Sequence, residues 1–173
     1  MSDSPLPPFD EIYNLYRGRL YRFCLLQLRD PDLAEEIAAD TWVAAYAAYP
    51  HVKPSPDTVH LWLFRIAKNR AKNVWRNSAR WKRLLQSLTN QQASGTVEAI
   101  AMSNETGRQL LALMKKLSTR DRKLLALRFG AELSMREVAQ LMGMRERTAA
   151  VATLRALERL RKHAAAEETA WVY

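Results

Sequence analysis

Residues 134–163 read SMREVAQLMGMRERTAAVATLRALERLRKH, and this stretch decides the fold. Ser134 followed three residues later by Glu137 forms a capping box. The hydroxyl takes the N–H of the third helical residue while the carboxylate reaches back to the cap, so a helix starts at Met135. Ala139 sits one turn in, small enough for another helix to cross closely. Gly143 follows where the chain must turn left-handed to leave a helix, a conformation that penalises a Cβ. From about Arg147 to His163 the periodicity resumes, with Thr148, Val151, Leu154, Leu157 and Leu160 as its markers. Helix, glycine turn and helix at this spacing make a helix-turn-helix; the competing reading is a plain helical hairpin.

The remainder of the chain is helical in pattern too. It has five glycines in 173 residues and little strand-like alternation. A first helix is predicted over 9–28, stopping before Asp30-Pro31. Asp30 then caps a second helix with Pro31 at its first position, where a missing N–H does no harm. This alanine-rich helix is predicted to end at Tyr49, before Pro50, and Pro54 and Pro56 make 51–57 a loop. A third helix resumes near Val59 and reaches about Arg83. Residues 86–107, rich in Ser, Asn, Gln and Thr, read as a linker in which 97–102 could form a short helix. The expected organisation is all-α: a helical domain over 1–85, the linker 86–107, and a helix-turn-helix domain with a C-terminal tail over 108–173. Trp171 and Tyr173 in that tail are candidates for docking or fraying.

Composition narrows the chemistry. A formal net charge of +9 points to a polyanionic partner, nucleic acid or an acidic membrane surface. No apolar run approaches the roughly 18–20 residues of a membrane helix, and the N-terminus lacks the pattern of a secretory signal. Cys24 is the single cysteine, which fits a reducing cytoplasm and a buried apolar role between Phe23 and Leu25. His51, His60 and His163 are scattered, and no metal-ligand spacing, phosphate-binding glycine loop or nucleophile–base pair occurs. No catalytic residue, metal or cofactor is expected, and the chain does not read as an enzyme.

The third helix carries the charge. Residues 62–83 read WLFRIAKNRAKNVWRNSARWKR, with Arg65, Lys68, Arg70, Lys72, Arg76, Arg80, Lys82 and Arg83 and no acidic residue. At about 100° per residue, Arg65, Lys68, Lys72 and Arg76 fall on one stripe flanked by Asn69 and Asn73. Phe64, Ala67, Ala71, Val74 and Trp75 lie roughly opposite, as a core-facing stripe. Solvated helix faces usually mix signs, because like charges one turn apart repel by a few tenths of a kcal/mol. A single-signed stripe instead suits phosphates. Trp62 lies near the basic face, where it could stack on an unpaired base, wedge into a duplex fork or sit partly in the core.

With these motifs in hand, the chain resembles the extracytoplasmic-function (group four) sigma factors of bacterial RNA polymerase over nearly its whole length. DPDLAEEIAADTWVAAYAAYP is similar to their region 2.1–2.2, WLFRIAKNRAKNVWR to region 2.3–2.4, and LMKKLSTRDRKLLALRFGAELSMREVAQLMGM to region 4, in the family's order. The resemblance implies a protein that binds core RNA polymerase and directs promoter recognition and opening. It implies polymerase-clamp contacts at Glu35, Glu36, Ala39 and Asp40. It implies minus-ten DNA contacts at Trp62, Arg65, Lys68, Asn69, Lys72, Asn73 and Arg76. Anti-sigma control from outside the chain is the family's common arrangement. Two positions depart from the pattern: Ala39 stands where glutamine is usual, and the recognition helix lacks the mid-helix basic residues of T-V-K-S-R-L. Any minus-thirty-five reading is therefore expected at Arg145, Glu146, Arg147 and Thr148. Two rival functions remain at this level: a helix-turn-helix regulator acting without polymerase, and a sigma-derived adaptor that binds protein and no longer reads DNA.

Overall fold

The computed structural model describes residues 6–85 and 104–170, without the side chains of 75–85 and 168–170. Among the described residues there are helices and turns and no strand, so the protein is all-α. Helix α1 spans Phe9–Leu28 and closes on Arg29, whose backbone is left-handed (φ +61°) and whose N–H returns to Leu25 O at 2.7 Å. Asp30 then caps α2 (Pro31–Val52), accepting from the N–H groups of Asp32 and Leu33 at 3.0 and 3.2 Å.

The end of α2 differs from the sequence reading. The helix does not stop at Tyr49 but runs through Pro50 to Val52. In the last turn a proline removes only one donor, and Lys53, left-handed at φ +44°, closes the end through its N–H to Tyr49 O at 3.1 Å. The predicted loop is correspondingly shorter, and α3 spans Val59–Leu85.

The second half begins earlier than expected. Asn104 accepts from Gly107 N–H at 2.8 Å and starts α4 (Glu105–Lys116), so this helix takes in residues assigned to the linker. The suggested helix at 97–102, and Trp171 and Tyr173, lie outside the described residues. Ser118 caps α5 (Thr119–Leu125), which continues into a π-helical turn over Ala126–Gly130. Helices α6 (Met135–Met142) and α7 (Glu146–Ala170) form the helix-turn-helix, the latter continuing well past His163. The capping box is present: Ser134 N–H donates to Glu137 Oε2 at 2.7 Å and Glu137 N–H to Ser134 Oγ at 3.3 Å. Gly143 takes φ +66° between the two helices.

Leu20, Phe23, Cys24 and Leu25 of α1 pack against Ala34, Ile37 and Ala38 of α2 and against Leu63, Phe64, Ala67 and Ala71 of α3. Phe23 and Phe64 meet edge to face, with ring centroids 5.8 Å apart. Leu111, Met114, Leu124, Leu127, Leu133, Val138, Leu141 and Ala156 fill the second half. These two sets form one contiguous apolar cluster, because the π-helical turn lies against α1. Gly130 sits so near that a Cβ there would stand 3.0 Å from the backbone N and Cα of Phe23.

Candidate polymerase and nucleic-acid interfaces

Helix α2 buries Ala34, Ile37, Ala38, Thr41 and Ala45, which leaves the opposite face to solvent. On that face lie Glu36, Ala39 and Asp40, with Glu35 partly covered at its margin. Glu36 and Asp40 are one turn apart, as their spacing predicts. Asp40 also accepts a long contact of 3.4 Å from Arg70 of α3, an exposed pair worth about 0–1 kcal/mol. Val43 and Tyr46 extend the same face as exposed apolar groups, which the sequence reading passed over. They follow at i+3 steps from Asp40, so the periodicity that placed the acids contained them as well.

Helix α3 points Phe64, Ala67 and Ala71 inward, with Val74 partly buried, as the core stripe predicted. Arg65, Asn69, Lys72 and Asn73 are exposed. The side chains of Trp75 and Arg76 lie outside the described residues. Trp62 is partly buried, its ring 6.1 Å from that of Tyr49. Tyr49 in turn joins Phe9 in an aromatic cluster with Trp42 and Tyr46, and its hydroxyl donates to Pro7 O at 2.6 Å. Lys68 is only half-exposed. Its ammonium donates to Leu141 O, in the last turn of α6, at 2.5 Å. Burial, together with Lys123, Arg65 and Lys72 nearby, holds Lys68 below the usual lysine value, and burial and Lys72 do the same to Lys123.

At the helix-turn-helix, Arg145, Glu146, Arg147 and Thr148 are all exposed at the start of α7. Arg145, Arg147 and Thr148 line one groove with Arg120, Asp121, Val151, Ala152, Arg155 and Arg159. Arg120, Arg155 and Arg159 were missed by the sequence reading. Arg155 and Arg159 stand seven and eleven residues after Thr148, within about 20° of it around the helix, so the stripe was there to be read. Arg120 belongs to α5, and nothing in the local sequence ties it to α7. Arg159 is partly committed to Asp121, at 2.9 Å. The groove is thus strongly basic although the first two turns of α7 carry Ala149, Ala150 and Ala152, and Ala149, fully buried, faces the core and not the groove.

Among the described residues no group of His, Cys, Asp and Glu is placed to hold a metal ion, and no helix is long and apolar enough to cross a membrane.

These surfaces sit on a recognisable scaffold. The sigma-70 region 2 family matches residues 12–81, and the sigma-70 region 4 family matches residues 107–160. The ECF RNA polymerase sigma factor SigM of Bacillus subtilis (strain 168) is 29% identical over 155 residues, which cover 88% of this chain and 92% of SigM. SigX of the same organism, also an ECF RNA polymerase sigma factor, is 23% identical over 163 residues, covering 90% and 82%. Among solved structures, the sigma factor RpoE in complex with the anti-sigma factor NepR from Bartonella quintana superposes with a TM-score of 0.66 at 22% identity, covering 90% of this chain and 95% of that one. CnrH in complex with the cytosolic domain of CnrY gives 0.65 at 20%, covering 91% and 88%. The chain belongs to the sigma-70 family of transcription initiation factors, which are not enzymes. Within that family it is an extracytoplasmic-function sigma factor, a subunit that binds core RNA polymerase and takes it to promoter DNA.

Proposed function

We propose that this sigma factor divides its task among three faces: the acidic face of α2 for the polymerase clamp, the basic face of α3 for the minus-ten strand, and the basic groove of α7 for upstream DNA. The single-signed stripe of α3 carries the reading. Arg65, Lys68 and Lys72, flanked by Asn69 and Asn73, offer charge for phosphates and amides for base edges without a competing carboxylate on the same helix. Trp62 beside them would bear on the fork, and Arg76 would continue the stripe. On α2, Glu35, Glu36, Ala39 and Asp40 form the clamp contact. The corresponding units are residues 1–85, the linker 86–107, and 108–173, the last extended back to the cap at Asn104. The protein works in the cytoplasm, where its polymerase is. One of the solved structures with this fold is a sigma factor in complex with an anti-sigma factor, and an anti-sigma partner is proposed here as well.

Reconstituted holoenzyme tests this. With Lys68 and Lys72 both changed to Ala, permanganate reactivity of promoter thymines should fall sharply while core binding persists. Each lost phosphate contact should lower the log–log salt slope by about 0.7–0.9. The complementary variant, Glu36→Lys with Asp40→Lys, should lose core polymerase and keep its helical content. Normal promoter opening by the lysine-deficient holoenzyme would remove α3 from the minus-ten site.

A further inference from the structure

Two large apolar side chains stand exposed on α7, Val151 at 42% and Leu154 at 62%. They are not equivalent. Val151 lines the basic groove beside Thr148, Ala152 and Arg155, and Leu154 lies outside that lining. At about 100° per residue, Val151 falls midway between Arg147 and Arg155 around the helix. Ala149, Thr153 and Ala156 hold the nearly opposite face in the core, so Val151 occupies the middle of the face that α7 turns to solvent. It is also in the second turn of the helix, within the part that a recognition helix lays against bases. An isolated exposed valine on an ordinary surface needs no explanation. This one sits among Arg120, Arg145, Arg147 and Arg155, so a polyanion docked on those guanidiniums covers it. Nor does helix formation call for it, since a β-branched residue is a poorer helix former than the alanines on either side.

A duplex whose phosphates engage those arginines turns its major-groove base edges toward the helix between them. The groups that distinguish bases there are hydrogen-bond donors and acceptors, with one exception, the C5-methyl of thymine. Val151 has no polar side-chain atom. Set against a donor or acceptor it would strip away water and return nothing, whereas set against the thymine methyl it buries apolar surface on both sides. Ala150 and Ala152 are short, so neither sequence neighbour holds the helix off the bases beyond the reach of a valine. We propose that Val151 is a specificity-determining residue: it selects thymine in the upstream element by packing its γ-methyls on the C5-methyl, beside the bases taken by Arg145 and Arg147. The inference rests on the assignment of the α7 groove to upstream DNA and adds an apolar reading that the arginines cannot make.

Taking the methyl from the DNA isolates the contact. Wild-type holoenzyme first selects its upstream element from a randomised library. Each thymine of that element, on either strand, is then replaced singly by deoxyuridine, which keeps every hydrogen-bonding group and loses only the methyl. At the thymine that Val151 covers, the exchange should weaken wild-type binding about fourfold, the transfer value of one methyl-sized group. Holoenzyme with Val151→Ala should bind the thymine promoter more weakly and no longer distinguish thymine from uracil at that position. Val151→Ile, which keeps a branched apolar end, should retain the discrimination. Arg155→Ala should weaken both templates alike and keep their ratio, a readout that a merely structural role for Val151 would not move. An element selected without thymine, wild-type binding indifferent to deoxyuridine at every position, or a ratio unchanged in Val151→Ala overturns the proposal. The groove assignment fails separately: it falls if Arg145→Ala, Arg147→Ala and Arg155→Ala all leave upstream binding intact. If those variants weaken binding while the uracil exchange has no effect, only the thymine reading falls.

Discussion

Cys24 and Glu137 are side chains whose ionisation is set by their surroundings in the folded protein. Cys24 is fully buried between Phe23 and Leu25 of α1, and burial pushes its thiol up to about 12. Because the thiolate is the reactive species, iodoacetamide should leave native Cys24 intact at mildly alkaline pH and modify it completely once the chain is unfolded. Mass spectrometry reads this directly, and fast labelling of the native protein would contradict a buried α1 face. Glu137 is the second case. Burial alone would raise its carboxyl, but hydrogen bonds from His60 and from the N–H and hydroxyl of Ser134 together hold it below the usual glutamate value. A carboxyl depressed by folding contributes stability that is present above its unfolded value, about 4.3, and is lost as pH falls through the folded one. Thermal melts should therefore show Tm dropping as pH falls through that acid range. Glu137→Gln, which keeps a side chain able to cap, should lower Tm at neutral pH and flatten this acid slope. An unchanged slope in that variant would assign the acid sensitivity to other carboxylates.

At the scale of elements, α7 is the least ordinary. Base readout by a recognition helix comes mainly from its first turns, and here those present Arg145, Glu146, Arg147 and Thr148, all exposed. Arginine pairs bidentately with guanine, and glutamate accepts from cytosine. Upstream preference should accordingly be short, and replacing Arg145 or Arg147 by Ala should relax it at one or two positions, at about 1–3 kcal/mol each. Arg155, deeper along the groove, is placed for phosphate, so Arg155→Ala should weaken all upstream sequences alike. Selection from a randomised upstream library by holoenzyme distinguishes these outcomes; uniform weakening by all three variants would leave the groove with no reading role. Most of these helices were legible because their boundaries are local chemistry. Asp30-Pro31, Ser134 with Glu137, and Gly143 each satisfy or release particular backbone groups, and each stands where its residue type requires. Pro50 misled because its effect depends on position: the same residue that breaks a helix interior costs one hydrogen bond in a last turn closed by Lys53. The π-helical turn left no local signal at all, since it is fixed by what α1 presents to it.

For the whole molecule the same division holds. Stripes on single helices were readable, so the Arg65–Lys72 face emerged from periodicity, whereas Glu36 and Asp40 came from the family resemblance, their one-turn spacing placing both on one face. Arg120 beside α7, Lys68 against Leu141 and Glu132 against Arg22 join residues far apart in sequence, and no spacing encodes them. What makes the two halves meet is a close approach at Gly130. This glycine has no need of left-handed backbone, which among the described glycines is adopted by Gly143. Its requirement is space, because an added Cβ would lie 3.0 Å from Phe23 N and Cα and 3.1 Å from the carbonyl carbon of Arg22. All three are backbone atoms within α1, which cannot swing aside as a side chain can. Gly130→Ala should therefore cost about 1–3 kcal/mol at the seam, the usual penalty of overpacking, while leaving each half free to fold. Alanine is also the better helix former, so the loss should appear in the docking of the halves and not in helical content. Calorimetry of the wild type should show one cooperative transition, since its apolar cluster runs through both halves. In Gly130→Ala that transition should broaden or split, with a larger radius of gyration and unchanged far-ultraviolet circular dichroism. A Gly130→Ala protein as compact and as cooperative as the wild type would mean that α1 yields to the methyl group, and that the halves are held by their ion pairs alone.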